Sequence, residues 1–443
     1  MPGEYGFPSG IFSSVGQRST LEQSVGNGGN IQITTGSLVA TNGGQLLTDV
    51  SNGRGNGGNV IINARNNVVF DGRIQLLAGG ARSGVASSLT GANDVGKGGN
   101  IEITADSLSL SNNAQLDATT QGQGDAGNIT VNARNFISLT NEAKLISATL
   151  GKGDAGNITL NAGDRIFLDN SRIVSSLATN AEGKGGGIFI NGRLIDLNNQ
   201  SFIFVDSFGK GEAGNISVKA DTLQLENQSQ VSAETGTTNG GNINLIVDGL
   251  LLLRSNSSIS ATAGLAEGAG NGGSININSK FIIAIPKENS DISTNAFEGR
   301  GGNVEINSQG IFGIEARPKP TEKSDITASS ELGVSGAINI NVPDTSSIQN
   351  RFTELPPVID ANALIANSCI SRGTKRQENS FTITGSGALT TNRPGVLVSN
   401  YITGEVRGVE TTYRPWKKGD PIIEPQGLYR LNNGQLLLSR ECS

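Results

Sequence analysis

The sequence has no histidine, one tryptophan, one methionine and two cysteines in 443 residues. Without histidine there can be no Ser-His-Asp triad, no imidazole general base and no His-ligated metal or haem site. Aromatics reach 4% and charged residues 16%, against roughly 25% charged in an average globular chain, so the chain buries aliphatic rather than aromatic surface. With 33 basic and 39 acidic residues the net charge is −6, which provides no global positive field for a nucleic-acid backbone. Long apolar runs are missing as well. Stretches such as Phe281 to Ile285 and Leu250 to Leu253 fall far short of the roughly 20 residues a membrane-spanning helix needs. The chain therefore reads as not membrane-spanning and not a nucleic-acid partner. Met1 to Tyr5 has neither the basic nor the apolar part of a secretory signal. Either the protein stays inside or the chain is not the full precursor.

What is abundant is glycine, 62 residues or 14%, about twice the usual share. The excess follows a repeat. A Gly-Asn pair followed by two aliphatics one residue apart places asparagine at Asn30, Asn59, Asn100, Asn128, Asn157, Asn215, Asn242 and Asn303, with Gly187, Ser274 and Ala337 in the same slot of three further copies. The steps are 29, 41, 28, 29, 30, 28, 27, 32, 29 and 34 residues, so eleven units near 29 residues run from about Val25 to Val342. The next residue is always Ile or Val, and two residues on it is always Ile, Val or Leu, as in Ile129 and Val131. This period-two alternation predicts strand with one face inward. Three short strands per unit predict an all-β parallel β-helix, whose coils stack about 4.8 Å apart into a rod roughly 50 Å long. A β-propeller would need units of about 40 to 45 residues.

A second asparagine column, Asn42, Asn112, Asn141, Asn170, Asn199 and Asn227, falls about twelve residues after the first. Asparagine tolerates left-handed backbone at a corner, and its amide can bond to the amide stacked above, so both columns read as structural ladders. The strings around Asp125 and Asp154 look metal-like, but calcium-binding repeat loops have a nine-residue period. The same slot carries Lys97, Lys184 and Arg300 in other coils, which points to solvated charge balancing. No cofactor or metal site is expected. Asp169, Asp196, Asp206 and Asp221 are the carboxylates weighed for polysaccharide cleavage, and scattered surface charge is the favoured reading of them. Phe202, Phe204 and Phe208 share one coil; core filling or packing under a loop is favoured over a sugar or partner contact. Two insertions, about 12 residues around Gly79 to Asp94 and about five around Arg317 to Pro320, are the places where a rigid rod would carry specificity.

Val342-Pro343 ends the repeats, so the chain divides into a rod at 1–342, a Pro-containing linker at 343–357 and a capping segment at 358–443. The last holds a hairpin signal, 427–431 then 435–438 around Asn432-Asn433-Gly434. Cys369 and Cys442 form one disulfide in this segment or remain as two thiols.

The Gly-Gly-Asn-Ile-x-Ile and Ala-Gly-Asn-Ile-x-Val strings, with the tail motifs Leu364 to Cys369, Ser380 to Gly387 and Pro425 to Gly427, resemble the filamentous haemagglutinin-like exoproteins of two-partner secretion, particularly the large cyanobacterial type. The resemblance implies a right-handed parallel β-helix, exported through an outer-membrane barrel transporter. It would act outside the cell or at its surface as a non-enzymatic adhesin toward a receptor or polysaccharide. The Asn-Pro-Asn secretion domain of that family has no counterpart here, and the chain reads as the C-terminal part of a longer exoprotein. The alternative is a polysaccharide-binding or polysaccharide-cleaving β-helix.

Overall fold

The computed structural model describes residues 9–16, 23–76, 79–265, 267–343, 407–409, 427–431, 434 and 436–439. The chain forms two compact units, Met1–Thr345 and Ser346–Ser443. The first is a parallel β-helix of about ten turns. Every coil opens on a strand that begins at the residue after the asparagine slot or at the slot itself, among them Ile31–Thr35, Ile101–Ser111, Ile129–Thr140, Ile216–Leu225 and Asn303–Phe312. These stack in parallel as a long sheet. The register is exact at the aliphatic column, which runs Ile101, Ile129, Ile158, Ile188, Ile216 and Ile243.

After a corner, each coil contributes a three-residue strand to a second parallel sheet, such as Gln115–Asp117, Lys144–Ile146, Arg172–Val174, Phe202–Phe204 and Gln230–Ser232. Only the middle residue points inward, and Leu116, Leu145, Ile173, Ile203 and Val231 are all fully buried. The core is thus a set of aliphatic columns between two sheets, which explains how a chain so poor in aromatics keeps a continuous interior. At the ends of the stack the second inward position is less covered: Ile33 is half-buried and Ile340 exposed.

The first asparagine column forms a ladder, but its principal rung joins side chain to backbone. The Oδ1 of Asn30, Asn59, Asn100, Asn128 and Asn215 accepts from the backbone N–H of the residue in the same slot one coil on, at 2.7 to 3.0 Å. Asn157 and Asn242 do the same for Gly187 and Ser274. The Asn303 backbone N–H donates instead to the Gly273 carbonyl oxygen. The second column supplies left-handed corners, with φ between 46° and 54° at Asn42, Asn112, Asn141, Asn170, Asn199 and Asn227. Its amide-to-amide bonds join Asn141 to Asn112 and Asn227 to Asn199, both at 3.1 Å. The ladder is mixed, because Asn112 and Asn199 donate instead to Asp71 and Asp169. A buried serine ladder, not singled out from the repeat, reinforces the same corner. The backbone N–H groups of Ser171, Ser201, Ser229, Ser257 and Ser290 each donate to the serine hydroxyl one coil on.

Glycine is required where coils touch backbone to backbone. A Cβ on Gly127 would sit 2.0 Å from the Gly99 carbonyl oxygen, and the same clash recurs at Gly156 and Gly214. The longer insertion begins earlier than the repeat steps indicate. It is an antiparallel hairpin, Arg73–Leu76 with Gly79–Arg82, grafted onto the corner after Gly72, and Gly84–Ala86 already belongs to the regular short sheet. The second insertion is pinned to the rod, since Asp325, fully buried, accepts from Arg317 and from the Thr321 backbone and hydroxyl.

In the second unit, Gly427–Leu431 pairs antiparallel with Leu436–Ser439 and parallel with Arg407–Val409, so the expected hairpin forms. Cys369 and Cys442 lie outside the described residues.

Candidate binding face

The short sheet has an outward face built from three columns, because residues one, three and five of each segment alternate away from the core. Across five successive coils the first column reads Gln115, Lys144, Arg172, Phe202 and Gln230, and the third Asp117, Ile146, Val174, Phe204 and Ser232. Asp206 and Glu234 follow at the fifth position of the last two segments. Phe202 and Phe204 are therefore not core residues. They lie half-buried on the outer face, stacked on each other at 5.0 Å, while Ile203 between them fills the interior. The Arg172 guanidinium covers the Phe202 ring at 5.2 Å. Phe208 is exposed beyond the strand.

Asp206 also departs from the surface-charge reading. It is buried, and its Oδ1 accepts from the Ser232 hydroxyl at 2.6 Å and the Glu234 backbone N–H at 2.8 Å. Glu234, one coil on and with part of its surface at solvent, accepts from the Ser260 hydroxyl. Burial raises the Asp206 carboxyl to about 6 against the pull of those donors. Burial first, and then the charge of Asp206, raises Glu234 to about 7. The two form a carboxylate pair in adjacent coils whose pKa values are raised toward neutrality. Residue spacing in the sequence hides it, because 28 positions separate the partners; only the coil register brings them together.

The other carboxylates are engaged structurally. Asp196 is buried under Arg165, 2.6 Å away, with its Oδ1 unpartnered. Asp169 accepts from Asn199, and Asp221 pairs at the surface with Arg193. Asp125 and Asp154 accept from the backbone N–H of the residue one coil on, and Asp125 also pairs with Lys97 at 2.9 Å. Hydrogen bonding to Lys97 lowers the Asp125 pKa, and bonding to Lys152 and Lys210 lowers that of Glu182. That is the alternating charge balance the sequence pattern predicts. Among the described residues no group of three or more Cys, Asp or Glu is placed to hold a metal ion.

Toward the N-terminal end of the same face, the hairpin insertion walls a cleft of about 220 Å³. Gly80 and Arg82 of the hairpin face Asp49, Gln115, Asp117 and Thr119 across it. The Thr119 hydroxyl is buried there without a hydrogen-bond partner. No helix among the described residues is long and apolar enough to cross a membrane. No protein-family model, curated protein or solved structure matches the chain.

Proposed function

We propose that this protein is an extracellular or cell-surface structural rod acting in adhesion or aggregation, a non-enzymatic exoprotein of the filamentous haemagglutinin-like kind exported by two-partner secretion through an outer-membrane barrel transporter. The observation that carries the adhesive reading is the division of labour within the coil. Inward columns are nearly constant over about ten turns, whereas the outward columns of the short sheet vary along the rod, from Gln115 and Asp117 through Lys144 and Ile146 to Phe202 and Phe204 and then Gln230 and Ser232. A stack that is uniform inside and varied outside suits a rigid carrier of surface contacts. The repeat strings and tail motifs support the family assignment.

Polysaccharide binding by the same rod is favoured by the Phe202 and Phe204 stack in line with Asp206 and Glu234, since aromatic faces and hydrogen-bonding carboxylates are what sugar rings require. The test is adsorption of the purified full chain to cells and to immobilised polysaccharides, with clumping of protein-coated beads as a second readout. Adhesion and clumping that persist without release of reducing or unsaturated ends are the expected result. Failure of coated beads to adhere or clump would remove the adhesin reading, and release of sugar ends would replace it with an enzymatic one.

A further inference from the structure

On a chain of net charge −6, one stretch of the short-sheet face is cationic. Lys144 and Arg172 are register partners in adjacent coils, and Gln115, the partner of Lys144 on the other side, accepts a hydrogen bond from Arg82 of the hairpin insertion at 3.2 Å. The three cations therefore line one edge of the face. Among the described residues none of them forms an ion pair. Burial and then the repulsion of Arg82 and Arg172 lower the Lys144 pKa, with Glu142 at the corner acting in the opposite sense. Beside the row runs a half-buried apolar column, Ile146, Val174 and Phe204, in the same register. Asp117 closes this column on the hairpin side and Asp206 lies beside its other end.

We infer that Arg82, Lys144 and Arg172, with the apolar column beside them, bind an acidic polysaccharide whose charged groups are carboxylates. The inference rests on the polysaccharide reading above and names its substrate class. Sugar rings lay their CH faces on Ile146, Val174 and Phe204, and the acid groups along one edge of the chain meet the cations. The coil spacing of about 4.8 Å is close to the length one ring adds to an extended glycan, so successive coils meet successive rings. Two of the three cations are guanidinium groups, whose planar fork matches a carboxylate bidentately. Asp117 and Asp206, at either end, oppose a more densely charged chain such as a polysulfate.

The test measures binding of the full chain to polygalacturonate, dextran sulfate and neutral dextran at several salt concentrations. The expected result is saturable, salt-sensitive binding to polygalacturonate, at least tenfold stronger than to either dextran. It should be weakened at least tenfold in the Arg82→Gln, Lys144→Gln, Arg172→Gln variant, but unchanged in a charge-matched control, Lys184→Gln, Lys219→Gln, Lys280→Gln. Unaltered far-UV circular dichroism keeps the comparison valid, and single substitutions replace the triple if it does not fold. Equal loss in the control would overturn the inference, as would a preference for dextran sulfate. Binding to neutral dextran alone would overturn it while leaving polysaccharide binding standing, whereas binding to none of the three removes both.

Discussion

The Asp206 and Glu234 pair should make stability fall as pH rises toward and across neutrality. A folded-state carboxyl raised from its ordinary 3.8 to about 6 is penalised when ionised by about 3 kcal/mol, at 1.36 kcal/mol per tenfold. Glu234 is raised from 4.5 to about 7, but part of that rise is the Asp206 charge already counted, and its partial exposure reduces the rest. Because both pKa values are higher in the folded state than in the unfolded one, the folded protein binds more protons. The pair's stabilising contribution is fully present below about pH 4 and is lost through pH 6 to 7. Allowing for the share already lost at pH 5, the rod should lose about 2 to 3 kcal/mol between pH 5 and pH 8. Asp206→Asn keeps an acceptor for the Ser232 hydroxyl and the Glu234 N–H and removes the charge. It should raise stability at pH 8 by about 1 to 2 kcal/mol and gain nothing at pH 4. Urea unfolding followed by far-UV circular dichroism at pH 4, 5, 6, 7 and 8 reads both effects. A wild-type midpoint that is flat or rises from pH 5 to 8, together with a variant no more stable at pH 8, would refute the reasoning.

Three further substitutions probe the stack. Gly127→Ala places a Cβ 2.0 Å from the Gly99 carbonyl oxygen, backbone against backbone, so it should destabilise by about 3 kcal/mol or more; an unchanged melting temperature would show that the coils are not so closely apposed. Ser229→Ala leaves the buried Ser201 N–H without its acceptor and should cost about 1 to 3 kcal/mol, with faster amide exchange at Ser201 as the local readout. Ile216→Ala empties a site packed between Ile188 and Ile243 and should cost about 2 to 5 kcal/mol by chemical denaturation.

The solenoid was legible because its constraint repeats. Ile129 and Val131 recur at the same offset in every unit, and a strand residue stacked on its own copies leaves that period in the sequence. The glycine column was visible for the same reason, although only the geometry shows that Gly127 is needed for backbone contact with Gly99. The outward face of the short sheet was illegible. Phe202 and Phe204 look like core residues in a linear reading, and which of three consecutive apolar residues faces inward depends on where a three-residue strand begins. Had the strand been placed from Leu116, Leu145 and Ile173, the alternation would have put Ile203 inside and both phenylalanines outside. The pairing of Asp206 with Glu234 needs the same register carried across one full coil.

The proposed role of the short sheet is consistent with its packing. An inward residue such as Ile216 is fixed by copies of itself on both sides, so a change there must be accommodated along the column. An outward residue such as Lys144 pairs with its neighbours Gln115 and Arg172 through the backbone ladder, while its side chain lies outside the packed columns, so its identity can change one coil at a time. Each coil thus adds three outward positions at fixed spacing. Contacts weak in a single coil become strong when a linear partner engages several coils at once, because later contacts form at high effective concentration. Affinity for a polymer should therefore grow steeply with its length until it spans the stretch from Gln115 to Gln230, and level off beyond. Oligogalacturonates of increasing length would report this directly, and an affinity independent of length would mean that a single coil does the binding.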